Sequence, residues 1–223
     1  MSDSHATPSD MVDYMGVMLS DTLADSPVHT SHCVPVSVDW VNTIASSKLH
    51  RWIHVELYTD TKLKVLHVTA FPHVERKLPI FGLDVIVTRH DNNVRALFYD
   101  ETPTDDRESG LVKYDFGDVL QINLPEWTSI FSRDFIAVRP SAEQLDAFLV
   151  HASTRFVENI EMDDADIYDK VGTQLSTDIQ TKYCEHQRLN KHTMAALVKK
   201  IGKSNAVDFM EYVLFPSPTK LNN

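Results

Sequence analysis

Apolar and polar positions alternate every second residue through the middle of the chain, the period of a strand whose side chains point to opposite faces in turn. Over 51–59, Ile53, Val55 and Leu57 share one face, while Trp52, His54, Glu56 and Tyr58 take the other. Over 62–71, His67 lies with Leu63, Val65, Thr69 and Phe71. Through Leu83–Arg89, Asp84 falls with Gly82, Ile86 and Thr88, opposite Leu83, Val85 and Val87. Further strands are predicted over 94–99 and 134–138, with fainter patterns over 111–115 and 118–123. Asp60-Thr61 and Asp91-Asn92 supply short turns, so the economical topology is an antiparallel meander. Pairing residue 59 with 62 sets His54 opposite His67 and Glu56 opposite Val65, with all three polar groups on one face.

Outside this region the period is helical. Pro8-Ser9-Asp10 offers a start for a helix to about Ala24, with Met11, Tyr14, Met15, Met18 and Leu19 spaced for one apolar face. The stretch 25–35 is rich in His, Ser and Pro and reads as loop. A short helix is expected over 126–132. Ser141 with Gln144 makes a capping-box start for a helix to about Glu158, with Phe148, Leu149 and Phe156 on its apolar side. Helices also fit 165–188, 191–200 and 204–214. Sheet first and helices after implies an α+β domain, with helices laid over the sheet. At 223 residues and 43% hydrophobic, without repeats or a Gly/Ser linker, residues 1–223 suit one domain. Residues 1–8 and 217–223 read as loose ends.

Composition removes several function classes. Nothing approaches a run of about 18 apolar residues, so no membrane span is expected. The acidic start Met1-Ser2-Asp3-Ser4-His5 lacks a signal core. Cys33 and Cys184 form neither a CxxC pair nor a disulfide framework, which points to a reducing, cytoplasmic setting. A net charge of −11 argues against general nucleic-acid binding. The acid is concentrated at 100–108, which includes Asp100 and Glu101, and at 158–169. Between 182 and 203 the sign reverses through Lys182, Arg188, Lys191, Lys199, Lys200 and Lys203. That stretch reads either as a solvated helix face or as a docking patch for an acidic partner. The remaining histidines show no metal-ligand spacing, and no metal site is expected.

The candidate chemistry lies in the strands. A charge within an apolar strand is costly unless it is paired or neutralised by a shifted pKa. His54, Glu56, His67 and Asp84 on consecutive strands therefore suggest a proton-handling site on one sheet face. Taken singly, each has a bland reading: a satisfied sheet histidine, a solvent-facing Glu56, a strand-end Asp84 bonded to backbone amides.

Four stretches carry a likeness beyond that pattern: His54-Val55-Glu56-Leu57; Leu66-His67 followed by Phe71-Pro72; Leu78-Pro79-Ile80-Phe81-Gly82-Leu83-Asp84; and Phe209-Met210 with Leu214-Phe215. Arg139-Pro140-Ser141 and Asn190-Lys191-His192-Thr193 support it. With these residues the chain resembles the ferredoxin-dependent bilin reductases over roughly 45–216, most closely the phycocyanobilin-forming type. The resemblance implies a three-layer α/β/α sandwich with a central antiparallel sheet. It implies reduction of biliverdin IXα by one-electron transfers from ferredoxin, an external [2Fe-2S] protein, each coupled to a protonation. No flavin, nicotinamide or metal is implied, and the sequence has no GxGxxG after a strand, Cys cluster or HExxH.

By the same resemblance Asp84 is the central proton donor, His67 its partner, and Glu56 the acid serving the D-ring vinyl group. His54 orients His67, Arg139 pairs with a propionate, and Asn190 lies on the helical side of the pocket. His192 stands where the family has a propionate-binding lysine, and the turn between Glu56 and His67 is one residue shorter than in the phycocyanobilin-forming enzymes. Lys199, Lys200 and Lys203 are the candidate ferredoxin contact, and a monomer is expected. The product implied is phycocyanobilin or phycoerythrobilin. A rival reading is a bilin carrier or chromophore chaperone without turnover. A His/Asp hydrolase lacks a nucleophile motif such as GxSxG.

Overall fold

The computed structural model describes residues 6–24, 37, 39–105, 114–124, 126–161 and 172–219. Its centre is a seven-stranded antiparallel sheet in the order β1-β2-β3-β4-β5-β7-β6. The strands are β1 (Trp40–Ala45), β2 (His50–Thr59), β3 (Leu63–Pro72), β4 (Ile80–Thr88), β5 (Val94–Thr102), β6 (Leu120–Gln121) and β7 (Ile136–Arg139). Helices α1 (Pro8–Thr22) and α2 (Ala142–Glu161) cover one face. On the other lie α3 (Thr173–Gln187), α4 (Lys191–Ile201), α5 (Lys203–Phe209) and a π-helical turn, Met210–Leu214. Among the described residues no helix is long and apolar enough to cross a membrane.

Strand alternation divides the interior into two cores. Ile53, Val55, Leu66, Val68, Leu83, Val85 and Val87 point to α1 and α2, where Val12, Met15, Leu145, Phe148 and Phe156 meet them. Trp40, Ile44, Trp52, Phe71 and Ile80 point the other way, against Tyr183, Leu197, Phe209, Met210 and Phe215. The three-layer α/β/α sandwich expected from the resemblance is the architecture observed.

Several local expectations need correction. The β2–β3 register is shifted by two residues: Thr59 pairs with Lys64, so Glu56, not His54, faces His67, and His54 faces Thr69. The cause is the turn. Asp60 Oδ1 accepts the backbone N–H groups of both Lys62 and Leu63, while Asp60 N donates to Leu63 O, so the turn falls at Thr61-Lys62, one residue beyond Asp60-Thr61. Strand β1 was not among the sequence candidates. The α1 cap is Thr7, whose side chain exchanges hydrogen bonds with Asp10, and Tyr14 is 74% exposed instead of lying on the apolar face. Tyr114 and Asp115 are not strand, and 118–123 keeps only Leu120–Gln121; residues 111–113 lie outside the described residues. The 126–132 segment is a 3-10 helix over Glu126–Ile130, and the last helix divides into α5 and the π-helical turn. Of the 165–188 helix, Thr173–Gln187 is seen; 165–171, the 25–35 loop, Cys33 and most of the second acidic run lie outside the described residues.

The first acidic run is not a surface feature at its start, since Asp100 and Glu101 are buried. Glu101 receives Arg155 of α2 through two nitrogens, at 2.8 and 3.1 Å, and the Tyr99 hydroxyl. Asp100 points to the opposite face, into the helical layer that covers the candidate site.

Candidate active site

Antiparallel register converts five separated sequence positions into a line. Asn42 of β1 pairs with Glu56 of β2, Glu56 with His67 of β3, His67 with Asp84 of β4, and Asp84 with Phe98 of β5. Neighbours two residues along form a parallel row of Ile44, His54, Thr69, Gly82 and Asp100. On the other side lies a row of Trp40, Tyr58, Val65, Ile86 and Ala96. All share the face turned to α3–α5.

His67 Nδ1 lies 2.6 Å from Asp84 Oδ1. The imidazole is nearly enclosed, with an 8% exposed side chain, whereas that of Asp84 is 36% exposed. Around Asp84, the half-buried Val65, Gly82, Ile86 and Phe98 make an apolar floor that is only partly covered. Phe215 meets His67 edge-on at 5.7 Å between ring centres, and Phe209 meets His54 at 6.2 Å. The helical layer thus closes over the histidines and leaves the aspartate accessible.

Burial opposes protonation of His67, but the Asp84 charge, its hydrogen bond and the Glu56 charge outweigh it. The ring is raised above its ordinary 6.5. Glu56 is raised from 4.5 by burial, with Asp84 adding to the rise and His67 and the Trp40 N–H opposing it. That N–H donates to Glu56 Oε1 at 2.5 Å. His54 is held well below 6.5 by burial and by His67, so it stays neutral. Its Nε2 lies 2.9 Å from Asn42 Oδ1, which assigns the ring proton to Nε2 when the amide oxygen faces it. His54 Nδ1, His67 Nε2 and Thr69 Oγ1 are buried without a hydrogen-bond partner among the described residues. They remain as polar contacts this face can offer a ligand.

The margins are built from two further groups. Phe98 stacks on Phe135 at 6.2 Å, Phe135 on Phe131 at 4.3 Å, and Phe131 meets Tyr183 at 5.6 Å, giving an aromatic wall beside Asp84. Asp100 fixes that wall: it accepts from Ser132 Oγ and Thr102 Oγ1 and, at 3.3 Å, from the Ser132 N–H. Burial pushes its carboxyl up to about 6 even so. Gly82 keeps the same packing close, because a Cβ there would lie 3.1 Å from the Tyr183 hydroxyl, which would have to give way by a few tenths of an ångström. On the other margin, Trp52 Nε1 donates to Val213 O at 2.9 Å and Arg188 to Phe215 O at 2.5 Å, holding the π-helical turn and Phe215 over His67.

The structure therefore brings together His54, Glu56, His67 and Asp84. Arg139 lies on the same face, exposed at the end of β7 where it pairs with Leu120 of the edge strand β6, two residues beyond Ala137, the partner of Phe98. Asn190 caps α4, its Oδ1 accepting from His192 N at 3.1 Å and Thr193 N at 3.3 Å, and the His192 side chain is exposed. Lys199 and Lys203 are exposed near the α4–α5 junction; Lys200 lies over Tyr58, 5.0 Å from the ring centre, and 3.9 Å from Asp60. Trp40, Asn42, Asp100 and Tyr183 were not singled out as site residues. The alternation of Trp40, Asn42 and Ile44 was the available signal for the first two.

Comparison with known proteins fits this geometry. The family model for ferredoxin-dependent bilin reductases matches residues 37–216. A phycocyanobilin:ferredoxin oxidoreductase of Prochlorococcus marinus is 27% identical over 193 residues, covering 82% of this chain and 77% of that protein. The Trichodesmium erythraeum enzyme of the same name is 30% identical over 182 residues, covering 75% and 72%. A crystal structure of tomato phytochromobilin synthase, solved in complex with biliverdin, has the same fold, with a TM-score of 0.70 at 16% identity over 95% of this chain and 84% of that one. With the match spanning the whole sheet and the helices that cover the face carrying His67 and Asp84, the chain belongs to the ferredoxin-dependent bilin reductase family, and it is an oxidoreductase.

Proposed function

We propose that this enzyme reduces biliverdin IXα to a phycobilin, phycocyanobilin or phycoerythrobilin, in a four-electron sequence of proton-coupled one-electron steps through bilin radicals. Reduced ferredoxin supplies the electrons, and no redox group is bound in the protein. The chain acts as one domain and as a monomer. Its own contribution is orientation, exclusion of water and supply of protons.

An electron added to a conjugated tetrapyrrole makes its nitrogens and carbons more basic, so proton donors must be poised near neutral pH. Asp84, open to the cleft, is the group that meets the pigment, and His67 behind it returns the proton. Glu56, on the other side of His67, serves the D-ring vinyl group, and neutral His54 orients the first imidazole. Arg139, exposed at the end of β7, meets a propionate in water. Asn190 acts through its cap on α4, and His192 is the other candidate propionate contact. Lys199, Lys200 and Lys203 form the ferredoxin contact.

One observation carries this reading: the unbroken Glu56–His67–Asp84 row, with its aspartate end partly exposed above an apolar floor and its imidazole raised above its ordinary 6.5. A carrier that merely holds pigment has no use for buried proton donors. The test is Asp84→Asn, mixed with biliverdin, ferredoxin and a reducing system. The variant is expected to bind pigment, accept an electron and stall, with an absorption spectrum that does not progress to product. Normal turnover would remove Asp84 from the proposed role.

A further inference from the structure

Trp40 of β1 and Glu56 of β2 meet across the buried site face. The indole N–H is a donor only and has no lone pair to offer. It points at Glu56 Oε1 from 2.5 Å, inside the buried core. The indole is itself held by edge contacts with Tyr58 at 5.4 Å and Phe209 at 5.6 Å, and it is 7% exposed. Trp40 therefore cannot turn away without opening the core. A carbonyl oxygen accepts more strongly than a carboxyl hydroxyl oxygen, so this N–H favours the form of neutral Glu56 in which Oε1 is the carbonyl and Oε2 carries the transferable proton.

We propose that Trp40 is a positioning residue that selects which Glu56 oxygen carries the proton, and thereby directs where on the pigment that proton is delivered. This rests on the reading of Glu56 as an acid that serves the exocyclic vinyl group. No bond to substrate is ascribed to Trp40. When Glu56 gives up its proton from Oε2, the carboxylate keeps the Trp40 hydrogen bond on Oε1 and is re-protonated on Oε2 from the His67 side. The step is therefore balanced by one proton out and one proton back. The electron comes from ferredoxin.

The experiment compares Trp40→Phe, Trp40→His and Glu56→Gln with the wild type, using biliverdin and reduced ferredoxin, with product ratio by chromatography and biliverdin affinity by absorbance titration. Trp40→Phe keeps an aromatic ring and loses the donor. It is expected to bind biliverdin as the wild type does and to change the ratio of vinyl-reduced to other products about tenfold, the weight of one hydrogen bond to a charged acceptor. Trp40→His, which keeps a ring N–H, is expected to stay closer to the wild-type ratio than Trp40→Phe. If Glu56→Gln leaves the ratio unchanged, the assignment of Glu56 fails. If Glu56→Gln shifts it and Trp40→Phe does not, only the role of Trp40 fails. Equal shifts in both Trp40 variants would mean a packing effect and would overturn the proposal, as would failure of both to fold while Glu56→Gln with Trp40 intact gives the wild-type ratio.

Discussion

Asp84 and Glu56 flank one imidazole and differ in what surrounds them. Asp84 is open to the cleft, whereas Glu56 is enclosed beneath Trp40. The pairing has a consequence for stability. His67 is raised above 6.5, so its proton stabilises the fold fully below about pH 6.5, and this contribution is lost as pH rises through the raised value. Asp84→Asn removes a main cause of that rise. The stability lost on making the variant is therefore expected to be greatest between about pH 5 and 6.5 and to shrink toward alkaline pH. His50 and His54, both lowered by burial, favour unfolding in acid. They do so in both proteins and cancel in the difference. Urea midpoints across this range check the sign, and a difference that grew with pH would refute the pairing.

At the scale of elements, the facing of each side chain was legible and the register was not. Period two fixes which of His54, Ile53 or Asp84 shares a face with its neighbours whatever the strand pairs with. The pairing depends on where the turn falls, and Asp60, accepting from two successive amides and closing on Leu63, sets it one residue beyond Asp60-Thr61. Strand β1 escaped because its polar positions, Asn42 and Thr43, find partners only in three dimensions: His54 across the sheet and Ser20 on α1. Asp100 belongs to the acidic run 100–108 in the sequence, and its burial beside Ser132 is a tertiary fact that the run does not reveal. The segment carrying Phe131 and Phe135 hangs on that carboxylate. Ser132→Ala leaves it short of a donor and is expected to cost about 1–3 kcal/mol of stability. It should also raise KM for biliverdin more than it lowers kcat, as the aromatic wall loosens. Chemical denaturation and steady-state kinetics would show whether the cost falls there.

For the molecule as a whole, a net charge of −11 makes the exposed Lys199 and Lys203 a local exception near the α4–α5 junction. Neutralising both together with Lys200 is expected to raise the ferredoxin concentration needed for half-maximal rate and to flatten its dependence on ionic strength. Lys200 also touches Tyr58 and Asp60, so the Lys199 and Lys203 double variant is the cleaner probe. A rate profile indifferent to salt in the wild type would place docking elsewhere. The two-sided interior has a bearing on how such a protein can vary. Every working group occupies one parity of its strand, and every greasy partner of α1 and α2 the other. Deleting a single residue inside β3 or β4 would exchange them, sending acids into the oily layer and leaving valines to face the pigment. Lengthening the hairpin beyond Asp60 would leave that parity untouched, so insertions are tolerated at the loops and forbidden within the strands.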